Sequence, residues 1–245
     1  AFAEDDVDYS YHNYNPEDPA FYEGNPNFAY PGMAAETQLF RQIVGPDREL
    51  FLWEFNAAAK GFDAFFPGIG PHGTDLLSSF DAAVTVSDKV MTVMNGGVSG
   101  VCLWCLHDML YLNSHTNGAM GAGLFRFKWQ GWYPRPYYHY YALLCRSFRP
   151  GCIVRRIEGS IPGITALAAT MRNRRTVALL NGGARATQVS VNAPWSDSIR
   201  RLRVHPSMIP AEGDLPAAAE EKLTPAAQNR VTVDLEPGEL TVMVE

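Results

Sequence analysis

The chain has 245 residues, of which 47% are hydrophobic and 19% charged, a composition typical of a globular protein with ample material for a core. A net charge of −6 at pH 7 argues against binding to nucleic acid or to an anionic membrane. No apolar run approaches the length of a membrane span, and no secretory signal opens the sequence. The start at Ala1, without Met, is expected of a chain that has lost a leader, of a fragment, or of a partner-dependent chain.

Predicted strands and helices alternate through the first 150 residues. Apolar alternation and aromatic runs indicate the strands, and a recurring apolar face with terminal glycines indicates the helices. In chain order the predicted elements are a strand at 7–15, a helix at 33–44, a strand at 49–56, a helix at 74–95 capped by Thr74, a strand at 98–106 and a helix at 137–148. Long loops separate them. This order is the βα repeat of a parallel α/β fold.

The strand at 49–56 is the most informative of these elements. Its apolar and aromatic residues predict a strand buried on both faces, and Glu54 lies at its carboxyl end, where barrel enzymes keep their chemistry. Because side chains alternate along a strand, an inward Glu54 predicts that Leu50, Leu52 and Asn56 also point inward. Trp53 and Phe55 would then pack against outer helices. A buried carboxylate is costly without a partner, so we expect Glu54 to be catalytic. The alternative is a strand-end carboxylate that meets solvent or a lysine.

The character of the sequence changes after Gly151. Short alternating strands are predicted at 153–157, 164–171, 176–181, 187–192, 199–204, 231–235 and 240–244, with a surface loop at 211–227. Such spacing is typical of an antiparallel β-sandwich. The predicted fold class is therefore α/β plus all-β, with one domain at 1–150 and a β-sandwich domain at 151–245.

The number of βα units limits the architecture of the first domain. Only three such units are visible, and three parallel strands do not close a barrel that needs eight. Two alternatives remain at this point. Either the sheet is open, or the chain is the back part of a barrel whose front lies elsewhere.

Three strand-end motifs, in order, resemble a known group of enzymes. The motifs are His12-x-Tyr14, Trp53-Glu54 and the strand that carries Trp104. Followed by a β-sandwich, they resemble strands six, seven and eight of retaining clan A glycoside hydrolases, in the xylosidase, iduronidase, arabinofuranosidase and glucocerebrosidase-like branches. The resemblance covers essentially the whole chain. It implies the C-terminal part of a TIM (β/α)8 barrel followed by a β-sandwich.

The resemblance also implies site residues. By position, Glu54 would be the nucleophile, Tyr14 would hydrogen-bond to it with His12 alongside, and Trp104 would form the floor of the sugar subsite. An ionised carboxylate can attack an anomeric carbon, and the C–H face of a sugar packs on indole. The further predicted substrate-binding residues are Trp53, Asn56 and His107. This chemistry needs no metal and no organic cofactor.

The sequence departs from the family at the second carboxylate. Retaining hydrolysis needs an acid/base carboxyl about 5 Å from the nucleophile. In the clan this residue follows Asn on strand four, and no Asn-Glu pair occurs in this chain. We therefore expect the acid/base on a second polypeptide or an absent segment, in a hetero-oligomer acting on carbohydrate outside the cell or in the periplasm. The alternative is a non-catalytic carbohydrate-binding or structural subunit.

Two further groups of residues have open interpretations. Trp129, Trp132 and Tyr133 form either a carbohydrate platform or a docking surface between barrel and sandwich. Cys102 and Cys105 have the spacing of a metal or redox pair, but an apolar strand pattern favours two buried structural thiols. Whether Cys145 and Cys152 form a disulfide is left open by the sequence.

Overall fold

A computed structural model describes residues 8–13, 32–56, 79–112, 117–120, 123–128, 131–195, 198–209, 218–225 and 229–245. By its internal contacts the chain divides into two units. The first unit comprises residues 1–78 and 92–135, and the second comprises residues 79–91 and 136–245. The domain boundary at 150 that the sequence suggests stays a prediction.

The first unit contains a three-stranded parallel sheet, as the βα pattern predicts. Strands β1 (Tyr9–Asn13), β2 (Leu50–Phe55) and β3 (Gly100–Leu103) lie in this order across the sheet. Helix α1 (Met33–Val44) connects β1 to β2, and helix α2 (Phe80–Asn95), which the two units share, precedes β3. A hairpin of β4 (Met109–Leu112) and β5 (Asn117–Met120) follows, within what the sequence predicts to be a loop.

Helix ends follow capping rules. Helix α1 has the predicted bounds and ends at Gly45, whose φ of 85° suits glycine and whose N–H donates to the Arg41 carbonyl. Helix α2 begins at Phe80, and the predicted cap, Thr74, lies outside the described residues. Ser79 is the cap, because its Oγ accepts from the Ala82 N–H at 3.1 Å.

Strand β2 contains one extra residue relative to both neighbours. Against β1, Leu52 pairs with Tyr11, yet Glu54 pairs with the next residue, His12. Against β3, the register also shifts between Leu52 and Phe55. Trp53 lies within the bulge, is 55% exposed and has its ring edge-on to that of Phe51, so the prediction that it packs against outer helices is wrong. Bulges of this kind re-aim side chains near functional sites.

The second unit is built from antiparallel strands and one helix. Its elements are α3 (Pro136–Ser147), β6 (Ile153–Arg155), β7 (Ile164–Met171), β8 (Arg174–Asn181), β9 (Thr187–Asn192), β10 (Ile199–Val204), β11 (Ala219–Leu223), β12 (Arg230–Leu235) and β13 (Leu240–Val244). A six-stranded sheet has the order β11-β10-β13-β8-β7-β6, and β12 pairs with β9. The seven predicted strands are confirmed. Strand β11 was missed, since its exposed Ala-Glu-Glu-Lys sequence has no apolar alternation.

Both sheets of the second unit supply one apolar core. Val177 and Met243 come from the larger sheet, and Val189 and Val233 from the smaller. Trp195 packs among them at 6% exposure. Side chains that alternate along each strand and meet between two antiparallel sheets make a β-sandwich, as predicted.

A buried charge network lies at one end of β13. Glu239 has no exposed surface and accepts hydrogen bonds from Arg201, Arg203 and Thr241 at 2.7–3.0 Å. Burial alone would raise the pKa of Glu239. The hydrogen bonds from Thr241 and Arg203 and the charge of Arg203 outweigh burial, so its pKa lies below the ordinary 4.5. The folded state therefore holds the ionised carboxylate more tightly than the unfolded chain does.

This network predicts a pH-dependent stability. Because the pKa of Glu239 is lowered on folding, its contribution is fully present above the unfolded pKa near 4.5 and is lost as pH falls through the folded pKa. We expect Glu239→Gln to lower the free energy of unfolding by about 2 kcal/mol at pH 7, and the deficit to shrink below pH 4.5. Urea unfolding at pH 7, 4.5 and 3 measures this. Exposed Glu236→Gln is the control, and an equal deficit at every pH would contradict the account.

Within the described ranges, no helix is both long enough and apolar enough to cross a bilayer.

Candidate functional site

The site lies at the carboxyl ends of the parallel strands of the first unit. The bulge in β2 places Glu54 opposite His12 of β1, and His12 Nδ1 lies 3.3 Å from Glu54 Oε2. Their side chains are 51% and 26% exposed, respectively. A carboxylate that is reachable from solvent and has a polar partner within contact distance can act as a nucleophile or as a base.

Buried amides hold the neighbouring strand ends in place. Asn56 is fully buried, and its Nδ2 donates to the Trp104 carbonyl, which follows β3. The Trp104 N–H donates to the Phe55 carbonyl at 3.0 Å. On the other side, the buried Asn13 donates to the Glu36 carboxylate of α1. The bonds to Trp104 connect the end of β2 to the residue after β3, and the Asn13 bond connects the end of β1 to α1.

A tyrosine–threonine bond fixes β1 against α1. Tyr11 Oη lies 2.9 Å from Thr37 Oγ1, and both residues are buried. Burial, above all, raises the pKa of Tyr11, so this phenol stays neutral and serves as a hydrogen-bonding group. A Cβ at Gly96, just beyond α2, would approach Thr37 Cγ2 to 2.7 Å, so only glycine allows this close packing.

The four cysteines are free thiols. Cys102 is exposed, so the prediction of two buried structural thiols is wrong for it, because its side of β3 is uncovered. Cys105 is half-buried, and burial raises its pKa to about 11, which keeps it a thiol at neutral pH. The peptide bond between Trp104 and Cys105 is cis. Cys145 and Cys152 are not bonded to each other.

A buried ion pair anchors the segment after β3. Arg135 Nη1 and Nη2 donate to Asp108 Oδ1 and Oδ2 at 2.6 and 2.9 Å, and both side chains are 2% exposed. The Gly123 N–H donates to Asp108 Oδ1 at 2.9 Å, and Arg135 also donates to the Gly123 carbonyl at 2.7 Å. A Cβ at Gly123 would lie 2.2 Å from the backbone between His107 and Asp108. The cluster therefore requires a glycine, an aspartate and an arginine together.

Next to this anchor, His107 and Trp132 form an exposed aromatic pair. Their ring centroids are 5.7 Å apart at 87°, an edge-to-face arrangement. His107 Nδ1 lies 2.6 Å from the Asp108 carbonyl oxygen. Since that oxygen only accepts, Nδ1 carries the proton and, in the neutral ring, Nε2 is left as an acceptor.

The predicted site residues are brought together in part. His12 and Glu54 are in contact, and Asn56 bonds to the backbone of Trp104. Trp104 is half-buried, while Trp53 and His107 are exposed. Tyr14 and Trp129 lie outside the described residues. No role assigned to these residues is tested by their positions alone, so the roles stay predictions.

Sequence reasoning missed the Asp108–Arg135 pair. The available signal was weak, namely a single arginine between Pro134 and Pro136, 27 residues after the aspartate. Long-range pairs of this kind leave no periodic trace. In the described part of the chain, no three His, Cys, Asp or Glu side chains group closely enough to hold a metal ion.

Sequence comparisons find no match for this chain. No family model matches it, and neither does any curated protein.

Solved structures, in contrast, share its fold. An endoxylanase of glycoside hydrolase family 30 from Clostridium papyrosolvens C71 matches with a TM-score of 0.60 and 13% identity, over 97% of this chain and 48% of that one. A family 39 glycoside hydrolase from Xanthomonas axonopodis pv. citri matches with a TM-score of 0.53 and 12% identity, over 89% of this chain and 49% of that one. A conserved exported protein from Bacteroides fragilis matches with a TM-score of 0.55 and 10% identity, over 86% of this chain and 42% of that one.

These likenesses establish the fold and its extent. The chain spans about half the length of the solved structures it matches. Identities of this size show shared architecture and leave the chemistry to be argued from the site. This chain, mixed helix and sheet with a parallel sheet and antiparallel sheets, therefore shares its fold with about half of the length of the family 30 and family 39 structures.

Proposed function

We propose that this chain carries the nucleophile of a retaining O-glycosyl hydrolase that acts on carbohydrate. The observation that carries the proposal is the position of Glu54. It lies at the carboxyl end of the middle strand of the parallel sheet, 3.3 Å from His12, in a fold shared with glycoside hydrolases of families 30 and 39. A catalytic carboxylate of a β/α barrel occupies such a strand end.

The chemistry assigns a role to each proposed residue. A Glu54 oxygen attacks the anomeric carbon while the glycosidic oxygen leaves with a proton from the acid/base carboxyl, giving a glycosyl ester of Glu54. Water, deprotonated by the same acid/base, then cleaves the ester and regenerates the carboxylate. His12 and Tyr14 position Glu54, and Trp104 supports the sugar ring from below. Asn56, Trp53 and His107 complete the substrate-binding set.

This chain would supply only part of a (β/α)8 barrel. The parallel sheet supplies strands six to eight of a (β/α)8 barrel within residues 1–150, and residues 151–245 form the sandwich domain. The front strands and the acid/base carboxyl then lie on another segment or on a second polypeptide, in line with the absence of an Asn-Glu pair. An extracellular or periplasmic location follows from the substrate class, and one structural neighbour is an exported protein.

One observation favours a second candidate function. Without an Asn-Glu pair in these 245 residues, the chain has no matching acid/base carboxyl of its own. A non-catalytic carbohydrate-binding or structural subunit would have the same fold and the same exposed aromatic residues. The two candidates differ in whether Glu54 becomes covalently bonded to sugar.

Covalent trapping separates these candidates. The assembled protein is incubated with 2-deoxy-2-fluoro-xylosyl and 2-deoxy-2-fluoro-glucosyl fluorides, because the fluorine slows breakdown of the ester intermediate. We expect mass spectrometry to find the added sugar on the peptide that contains Glu54. Label on a different residue would contradict the nucleophile assignment, and turnover without any label would contradict the covalent mechanism.

A further inference from the structure

The turn at Gly131 and Trp132 has an unusual backbone. Both residues have positive φ, 86° and 57°, and the second is a bulky residue for which this region is disfavoured. Only two other described non-glycine residues share it, Arg172 in the β7–β8 turn and Asn229. Asparagine tolerates this conformation, and hairpin turns require it. Trp132 also lies in a chain reversal, because Phe125 and Pro134 form an antiparallel bridge, but its bulky side chain is disfavoured at positive φ.

Local bonds hold the turn in this conformation. The Gly131 N–H donates to the Lys128 carbonyl at 3.0 Å, and the Arg126 N–H donates to the Tyr133 carbonyl at 3.0 Å. A Cβ at residue 131 would lie 2.6 Å from the Tyr133 ring, so glycine is required there. The Arg135 N–H donates to the Leu124 carbonyl at 2.8 Å, which connects the turn to the buried Asp108–Arg135 pair.

Burial of the indole does not offset the energetic cost of this conformation. Trp132 is 47% exposed, and Tyr133 is 37% exposed. Strained backbone that presents a large apolar side chain to solvent is typical of ligand-binding positions. His107 lies edge-on beside the indole and has Nε2 as its acceptor. An indole face next to a hydrogen-bond acceptor suits a ligand with one apolar face and peripheral hydroxyl groups.

We propose that Trp132 and His107 form a sugar-binding platform, in which a pyranose ring stacks on the indole and a sugar hydroxyl donates to His107 Nε2. The choice of a sugar rests on the proposed function, while the platform itself rests on the exposed indole of Trp132 and on the acceptor that His107 holds beside it. A net charge of −6 disfavours a nucleic-acid base as the stacked group.

Trp132→Asn tests the platform, because asparagine accepts positive φ and removes the ring. The assembled protein also carries Glu54→Gln so that the probes, xylohexaose and cellohexaose, are not consumed. We expect calorimetry to show that Trp132→Asn binds at least one probe about tenfold more weakly, or weaker still, than the protein with Trp132 intact. The thermal midpoint of unfolding should be unchanged. Trp132→Phe, which keeps an aromatic face, should recover most of the affinity.

Two results would overturn the platform. One is an unchanged affinity of Trp132→Asn for both hexasaccharides. The other is a large fall in the thermal midpoint of both variants together with lost binding, because the ring would then be a structural element. If the fluorosugar labels Glu54 and Trp132→Asn binds the hexasaccharides as tightly as the parent, only the platform is refuted. If the fluorosugar labels a residue other than Glu54 and Trp132→Asn loses hexasaccharide binding, only the assignment of Glu54 as nucleophile is refuted.

Discussion

Glu54→Gln is expected to lower kcat of the assembled enzyme by about 10⁴-fold or more, with a much smaller change in KM. Glutamine keeps the shape of the side chain and its contact with His12, but its amide does not form a stable ester with the anomeric carbon. Steady-state kinetics on aryl xylosides and on xylan measure this. Loss confined to kcat indicates that an interaction in the transition state has been removed.

A matched control lies just before the same strand. Glu49 is exposed and precedes the other end of β2, so Glu49→Gln should leave kcat unchanged. In Glu54→Ala, azide should restore turnover and give a glycosyl azide of inverted anomeric configuration, because the small anion replaces the missing nucleophile. A rate in Glu54→Gln equal to that of the parent would refute the catalytic role and favour the carbohydrate-binding subunit.

Asp108→Ala is expected to lower the free energy of unfolding by about 3–5 kcal/mol, the largest stability loss we anticipate. The substitution leaves the Arg135 guanidinium charged, 2% exposed and without its carboxylate, and it also removes the acceptor of the Gly123 N–H. Denaturant unfolding with the parent protein as reference measures the loss. The segment that carries His107 and Trp132 should loosen with it, which hydrogen exchange of residues 104–108 would detect.

Two comparisons isolate the ion pair in this prediction. The exposed pair Arg200–Glu220 has a distance of 3.7 Å and side chains 50% and 48% exposed, so Glu220→Ala should cost less than about 1 kcal/mol. The double variant Asp108→Ala with Arg135→Ala should lose less than the sum of the single losses, since no unpaired charge remains buried. Strictly additive losses would show that the pair is not a coupled unit.

Much of the fold could be predicted because it depends on local periodicity. Helix α1 and strands β9, β10 and β13 have the predicted bounds, since apolar spacing and terminal glycines act over a few residues. Elements without such a signal were missed. Strand β11 is polar and exposed, and it forms because β10 offers a free edge for backbone pairing.

The candidate site could be predicted less completely. The sequence points to Glu54 and His12, and these side chains are in contact. It points equally to Tyr14, which lies outside the described residues. It assigns no role to Asp108 or Arg135, whose pairing spans 27 residues and depends on the fold.

The amino-acid sequence alone determined the order of strands and helices, the series of short strands after residue 151, and the carboxylate at the end of β2. Those features follow from side-chain periodicity, which any short stretch of chain carries in itself. Only the tertiary structure decided which neighbours these residues meet. The extra residue in β2 pairs Glu54 with His12, because register is settled between strands and not within one.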